Sequence, residues 1–172
     1  MNYVDNQRLY QELLDYHHKK RDCEERGLDF PEPSRYVTQC IIKMSENMSY
    51  RDNFIGYTYR EDMVADAILV CVMYGLKSYN PEKHTNAFGY FSRIIWRAFV
   101  RRIELEKRQQ YVKYKNYGRM VVDEQLDGVG VLPTEHTDQI DQFVSDYEIR
   151  MERKKQEKLD KAAEKESDAD ST

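Results

Sequence analysis

The chain has 172 residues, 34% of them charged and 40% hydrophobic, and its mean hydropathy is −0.88. That length suits one domain plus an extension, and no apolar run reaches the roughly 18 residues that a membrane span needs. The start, MNYVDNQRLY, lacks the basic and apolar segments of a secretion signal. Cys23, Cys40 and Cys71 form no CxxC pair and read as reduced thiols of a cytoplasmic protein, not as a disulfide framework or zinc site.

The net charge of −4 conceals a polarity along the chain. Residues 83–119 hold ten Lys and Arg against Glu104 and Glu106, a net of +8. Residues 123–172 hold fifteen Asp and Glu against seven Lys and Arg, a net of −8. A basic middle points to a polyanionic partner, and the acidic end to a region that the same polyanion repels.

In chain order, Asp5 or Asn6 caps a first helix whose apolar positions Leu9, Tyr10, Leu13 and Leu14 recur at helical spacing, ending near Gly27. The prolines of LDFPEPS break it. Ser34 caps a second helix carrying Tyr36, Val37, Cys40, Ile41 and Met44, and RDNFIGYTY reads as a loop with aromatic plugs. A third helix runs through REDMVADAILVCVMYGLKSY. Apolar on nearly every side, it is expected to be the central, most buried helix of a small bundle. NPEKHTN is a turn, and a fourth helix follows that reaches Tyr117. DGVGVLP reads as a linker by its Gly and Pro content. From Thr137 a last helix carries Ile140, Phe143, Val144, Tyr147 and Met151, and the closing EKLDKAAEKESDADST is expected to be mobile. The fold class is all-α: a helical domain over 1–117, a linker over 118–137, and a C-terminal helix with an acidic tail over 138–172.

The fourth helix carries the most specific signal. At 100° per residue, Phe88, Phe91, Ile95, Ala98, Phe99 and Ile103 share one face, which belongs to the core. Arg93, Arg97 and Arg101 form a row on the opposite face, with Tyr90 beginning the row, Trp96 and Val100 on one flank and Ile94 on the other. Guanidinium forks match phosphate oxygens, and a ring beside them offers a stacking surface to an unpaired base. Duplex DNA would use the arginines without the rings, so the combination favours single-stranded or opening nucleic acid. The plainer alternatives are a solvated helix with an Arg102–Glu106 pair, or a protein-binding face.

On the third helix, Asp62, Asp66, Leu69, Met73 and Lys77 share a face, an apolar centre with a charged edge that suits a protein partner. First-turn carboxylates also favour the helix dipole, which accounts equally well for Glu61 and Asp62 but less well for Asp66. There is no GxxxxGK phosphate loop and no HExxH. His17 and His18 point about 100° apart on a helix, and His84 and His136 fall in expected loops without metal-ligand spacing. No enzymatic activity, metal or cofactor is expected.

A basic aromatic helix that follows a partner-type helix through a short turn resembles region two of bacterial sigma factors. More closely, it resembles the late-gene sigma factor family of T-even-like bacteriophages. The resemblance is carried by NYVDNQRLYQELLDY near the start, FIGYT at 54–58, DMVADAI at 62–68, GLKSY at 75–79 and YFSRIIWRAFVRRIELEKR at 90–108, and it covers residues 2–117. It implies a non-catalytic subunit of transcription initiation, acting in the cytoplasm of an infected bacterium. Asp62, Asp66, Leu69 and Met73 would dock on the clamp helices of host core RNA polymerase. Tyr90, Arg93, Trp96, Arg97 and Arg101 would hold the non-template strand of a melting, TATAAATA-like promoter element. Ile140, Phe143, Val144, Tyr147 and Met151 would meet the polymerase flap, and a phage co-activator is a possible further partner. The spacing to Tyr79 is one residue longer than the resemblance leads one to expect. Housekeeping members carry a Trp pair where this chain has Arg93 and Ile94, and after the linker there is no room for a helix-turn-helix module. A polymerase-binding adapter of the anti-sigma kind and a free single-strand-binding helical protein are the alternatives.

Overall fold

A computed structural model describes residues 4–126 and 137–169, and the expected linker DGVGVLP lies outside them. Among the described residues the chain is a small all-α bundle with no strand. Helix α1 (Asn6–Arg26) starts where sequence chemistry places it. The Asp5 carboxylate accepts from the Gln7 and Arg8 amides at 3.0 and 3.1 Å, satisfying two donors that have no intrahelical partner. It stops at Gly27, which adopts a left-handed φ of 66°. The Gly27 and Leu28 amides turn back to the Glu24 and Cys23 carbonyls, a closure that favours a residue without Cβ. Helix α2 (Arg35–Ser49) follows the two prolines and is capped by the Ser34 hydroxyl, which accepts from the Val37 amide at 3.3 Å. Its two buried serines are satisfied: Ser45 donates to the Ile41 carbonyl and Ser49 to that of Glu46.

Helix α3 (Arg60–Val70) runs through one π-helical turn, Cys71–Gly75, into a last short turn, α4 (Leu76–Ser78). Helix α5 (Ala87–Leu126) opens on two side-chain caps. Asn86 Oδ1 accepts from the Gly89 amide and Asn6 Oδ1 from the Phe88 amide, both at 2.9 Å. Helix α6 is Thr137–Ala169.

The chain divides into two compact units, residues 1–104 and 105–172. The first holds the core. Leu9 and Leu13 of α1, Ile41 and Met44 of α2, Met63 and Ala67 of α3, and Phe91, Ile95 and Phe99 of α5 are all buried. Each large apolar side chain removed from water there stabilises the fold by about 1.5–3 kcal/mol before entropy is charged against it. Phe54, in the loop between α2 and α3, is also buried, as a plug in that core.

Three expectations are corrected. The third helix is not covered on nearly every side, because Leu69, Met73 and Tyr74 face solvent. Helix α5 passes Tyr117 and continues to Leu126. The stretch expected to be mobile is helical as far as Ala169. Local pairs support it, including Arg153 with Glu157 at 3.8 Å and the Gln156 amide with Asp160 at 2.8 Å, and Ala162 and Ala163 are strong helix formers.

Candidate nucleic-acid and partner surfaces

The first half of α5 is anchored by its core face, and this fixes what the opposite face presents. Phe91, Ile95, Ala98 and Phe99 are buried, while Phe88 and Ile103 are partly buried against the same core. Arg93, Arg97 and Arg101 are therefore held outward, one turn apart, and all three are exposed. None meets a carboxylate within ion-pair distance among the described residues. Three aligned cations without local compensation keep their full attraction for phosphate.

Trp96 stands beside this row. Its ring meets Phe54 edge-on, centroids 4.8 Å apart and planes at 70°, and Phe54 in turn rests edge-on against Phe99 at 5.0 Å. One side of the indole is thus pinned to a buried ring that cannot move, while 38% of the residue stays exposed, with Val100 as its apolar neighbour on the next turn. A ring already packed on one side gives up less rotamer freedom when a ligand arrives.

Tyr90 is placed differently from the other four residues of the expected strip. Its hydroxyl donates to the Gly75 carbonyl at 3.0 Å, in the last turn of the α3–α4 rod, where carbonyls lack intrahelical partners. Its ring packs among Tyr79, His84 and Phe91, with centroids 4.7–5.1 Å away. Burial first, and the nearby Cys71 second, push the Tyr90 phenol above its usual range; burial pushes Tyr79 up to about 12. Both phenols therefore stay protonated donors. Tyr79 gives its proton to the His84 carbonyl at 2.7 Å. Trp96 is then the exposed ring of the strip, and Tyr90 joins α5 to the π-helical turn.

Asp62, Asp66 and Leu69 of α3 and Met73 of the π-helical turn recur at helical spacing, and each is at least partly exposed. Leu69 is 56% and Met73 46% exposed; Tyr74, missed in the sequence, is exposed too, but points roughly a quarter turn away from Met73. A cation from α5 reaches this face. Arg102 donates from Nη2 to Asp62 Oδ2 at 3.0 Å and from Nη1 to Asp66 Oδ2 at 3.1 Å. The guanidinium fork bridges two carboxylates one helical turn apart. Helical spacing on α3 signals that Asp62 and Asp66 are neighbours, but nothing local in the sequence signals that Arg102, 36 residues beyond Asp66, lies against them.

In the second unit, Ile140, Phe143, Val144 and Tyr147 are half-buried, and two of them meet rings of α5. Tyr147 stacks on Tyr111 at 4.5 Å, and Phe143 meets Tyr114 edge-on at 5.4 Å. Glu148 accepts from Tyr111 at 2.7 Å and from Lys115, and the Lys115 hydrogen bond holds its carboxyl below the usual range. Met151 remains exposed.

No group of three metal-ligating side chains occurs among the described residues, and no helix among them is long and apolar enough to cross a membrane. No protein-family model matches the chain, and no curated protein matches its sequence.

Proposed function

We propose that this protein is a promoter-specificity subunit of the sigma type, similar to the late-gene sigma factors of T-even-like bacteriophages, which rides on host core RNA polymerase and opens an AT-rich promoter element. The observation that supports it best is the outward row Arg93, Arg97 and Arg101 beside a pinned, half-exposed Trp96, on a helix whose other face is core.

The proposed work is differential binding. The arginines take phosphates of either duplex or single strand, but Trp96 gains a stacking partner only once a base leaves the helix. One base–ring stack contributes about 1–3 kcal/mol, while a DNA base-pair step costs about 0.6–2.2 kcal/mol to open. One ring therefore offsets about one step. Opening a longer element requires the rest of the complex, which gives the exposed α3 face its role: Leu69 and Met73 as an apolar centre, Asp62 and Asp66 as an acidic edge, docked on the polymerase clamp helices.

The test is transcription in vitro from a supercoiled template bearing a TATAAATA-like element, with core polymerase, with and without the protein. A discrete transcript that needs the protein, and that falls with Arg97→Ala while polymerase association is unchanged, is the expected result. Polymerase association without any transcript would replace this reading with the adapter. Neither association nor transcript would leave a free single-strand binder.

A further inference from the structure

Phe54 is buried although it belongs to a loop, the one between α2 and α3. Backbone hydrogen bonds hold it at both ends: its amide donates to the Arg51 carbonyl at 2.8 Å, and its carbonyl accepts from the Tyr57 amide at 3.2 Å. Its ring stands edge-on to two residues of α5 that lie three apart, Trp96 and Phe99. Edge-on contact is an arrangement that the aromatic quadrupole favours. The contact with Phe99 is core packing, because both rings are buried. The contact with Trp96 reaches out to an exposed side chain of the same helix. Among the described residues no other ring meets Trp96, and its indole N–H has no hydrogen-bond partner. The indole therefore takes its orientation from Phe54 and from its own neighbours on the helix.

We propose, on the reading of Trp96 as the stacking ring, that Phe54 is a positioning residue for base capture. It acts through Trp96, holding the indole where an unpaired base stacks on it, and so sets how strongly the protein prefers single strand to duplex. On a helix an unsupported indole has two open χ1 wells. A base that must select one of them binds more weakly than a base that meets the ring already placed. Duplex binding draws on the arginines alone, so the loss of this support is felt by single strand and not by duplex. The loop that carries Phe54 thus becomes part of the strand-capturing apparatus without touching the strand through that ring.

The test compares Phe54→Leu with wild type in the full-length chain. Leucine keeps an apolar side chain in the core and removes the ring edge. Phe91→Leu is the matched control: Phe91 is as deeply buried on α5, but its ring neighbours are Tyr79 and Tyr90, not Trp96. All three proteins are studied at a temperature where circular dichroism shows them folded. Trp96 is the only tryptophan, so time-resolved fluorescence anisotropy reads its motion directly. The expected result is a wider indole wobble in Phe54→Leu and an unchanged one in Phe91→Leu. In titrations with a labelled AT-rich single strand, Phe54→Leu should bind roughly two- to tenfold more weakly. Its duplex affinity and its salt slope should stay those of wild type, because the phosphate contacts are intact. Phe91→Leu should bind both strands as wild type does. Wild-type single-strand affinity in Phe54→Leu overturns the proposal. So does an equal loss in Phe91→Leu, which would trace the effect to a loosened core. A wild-type chain that binds single strand and duplex equally removes the stacking reading itself, and the role of Phe54 with it. A wild-type preference for single strand that survives Phe54→Leu removes the role of Phe54 alone.

Discussion

Arg102 sits where the basic helix meets α3, and its two partners come from successive turns of that helix. It differs from Arg93, Arg97 and Arg101 in having its charge already engaged. Only 25% of its side chain is exposed, so water competes weakly for its donors, but Asp62 and Asp66 are more open, which limits the gain. Arg102→Ala is therefore expected to cost about 1–2 kcal/mol in urea unfolding. Asp62→Asn and Asp66→Asn should each cost less, since Arg102 keeps the other carboxylate. A double-mutant cycle between positions 102 and 66 checks the assignment. A coupling of zero would mean that the Asp66 carboxylate contributes nothing to what Arg102 stabilises. Arg97→Ala is the control: its side chain has no ion-pair partner among the described residues, and its removal should leave stability within about 0.5 kcal/mol.

At the level of the helices, two glycines separate propensity from packing. Gly75 ends the π-helical turn, and a Cβ there would lie 3.1 Å from Ile94 Cδ1 and 3.3 Å from Phe91 Cε1. The Phe91 ring is fully buried and cannot retreat. Gly118 is exposed on α5 with nothing within 4 Å of its missing Cβ. Alanine gains about 0.5–1 kcal/mol over glycine inside a helix. At 118 that gain is unopposed, so Gly118→Ala should raise stability by about that amount. At 75 overpacking costs about 1–3 kcal/mol and outweighs it, so Gly75→Ala should lower the melting temperature. Thermal unfolding of the pair gives opposite signs if the π-helical turn is as tight as its distances indicate. These positions also show what the sequence conveys. The ends of α1 and the start of α2 were legible because caps are local: Asp5, Gly27 and Ser34 each act within four residues. The end of α5 was not, because Gly118 invites a stop, yet a single helical glycine costs only about 1 kcal/mol. The burial of the third helix was overestimated because periodicity counts apolar residues without saying which of them a neighbour covers. The π-helical turn leaves no composition signal. It holds one more residue than an α-turn. The arginine row and the α3 face were legible as faces, whereas the Phe54 support of Trp96 and the Arg102 bridge depend on contacts distant in sequence.

For the molecule as a whole, the question is how far so few contacts carry a nucleic acid. The formal charge is −4, so the chain as a whole does not attract polyanions, and attraction must come from the local field of the basic stretch. Three phosphate contacts on a single strand give a salt slope, in log affinity against log salt, of about −2. With one stacking ring added, the isolated protein is expected to bind single strands only in the range of about 1–100 µM at physiological salt, as non-specific electrostatic binding does. Trp96 is the only tryptophan of the chain, so its fluorescence reports this binding directly. Titration with a short AT-rich single strand should quench it, and the same sequence as a duplex should quench it less. Arg97→Ala should flatten the salt slope by about 0.7, the share of one phosphate, while leaving the quenched end point unchanged. Trp96→Phe should weaken binding and leave the slope alone, which can be followed by anisotropy of a labelled strand. If Arg97→Ala left the slope unchanged, the row would be a solvated face and the phosphate contacts would lie elsewhere. If quenching were equal for duplex and single strand, Trp96 would not discriminate an unstacked base, and the proposed strand opening could not be assigned to it.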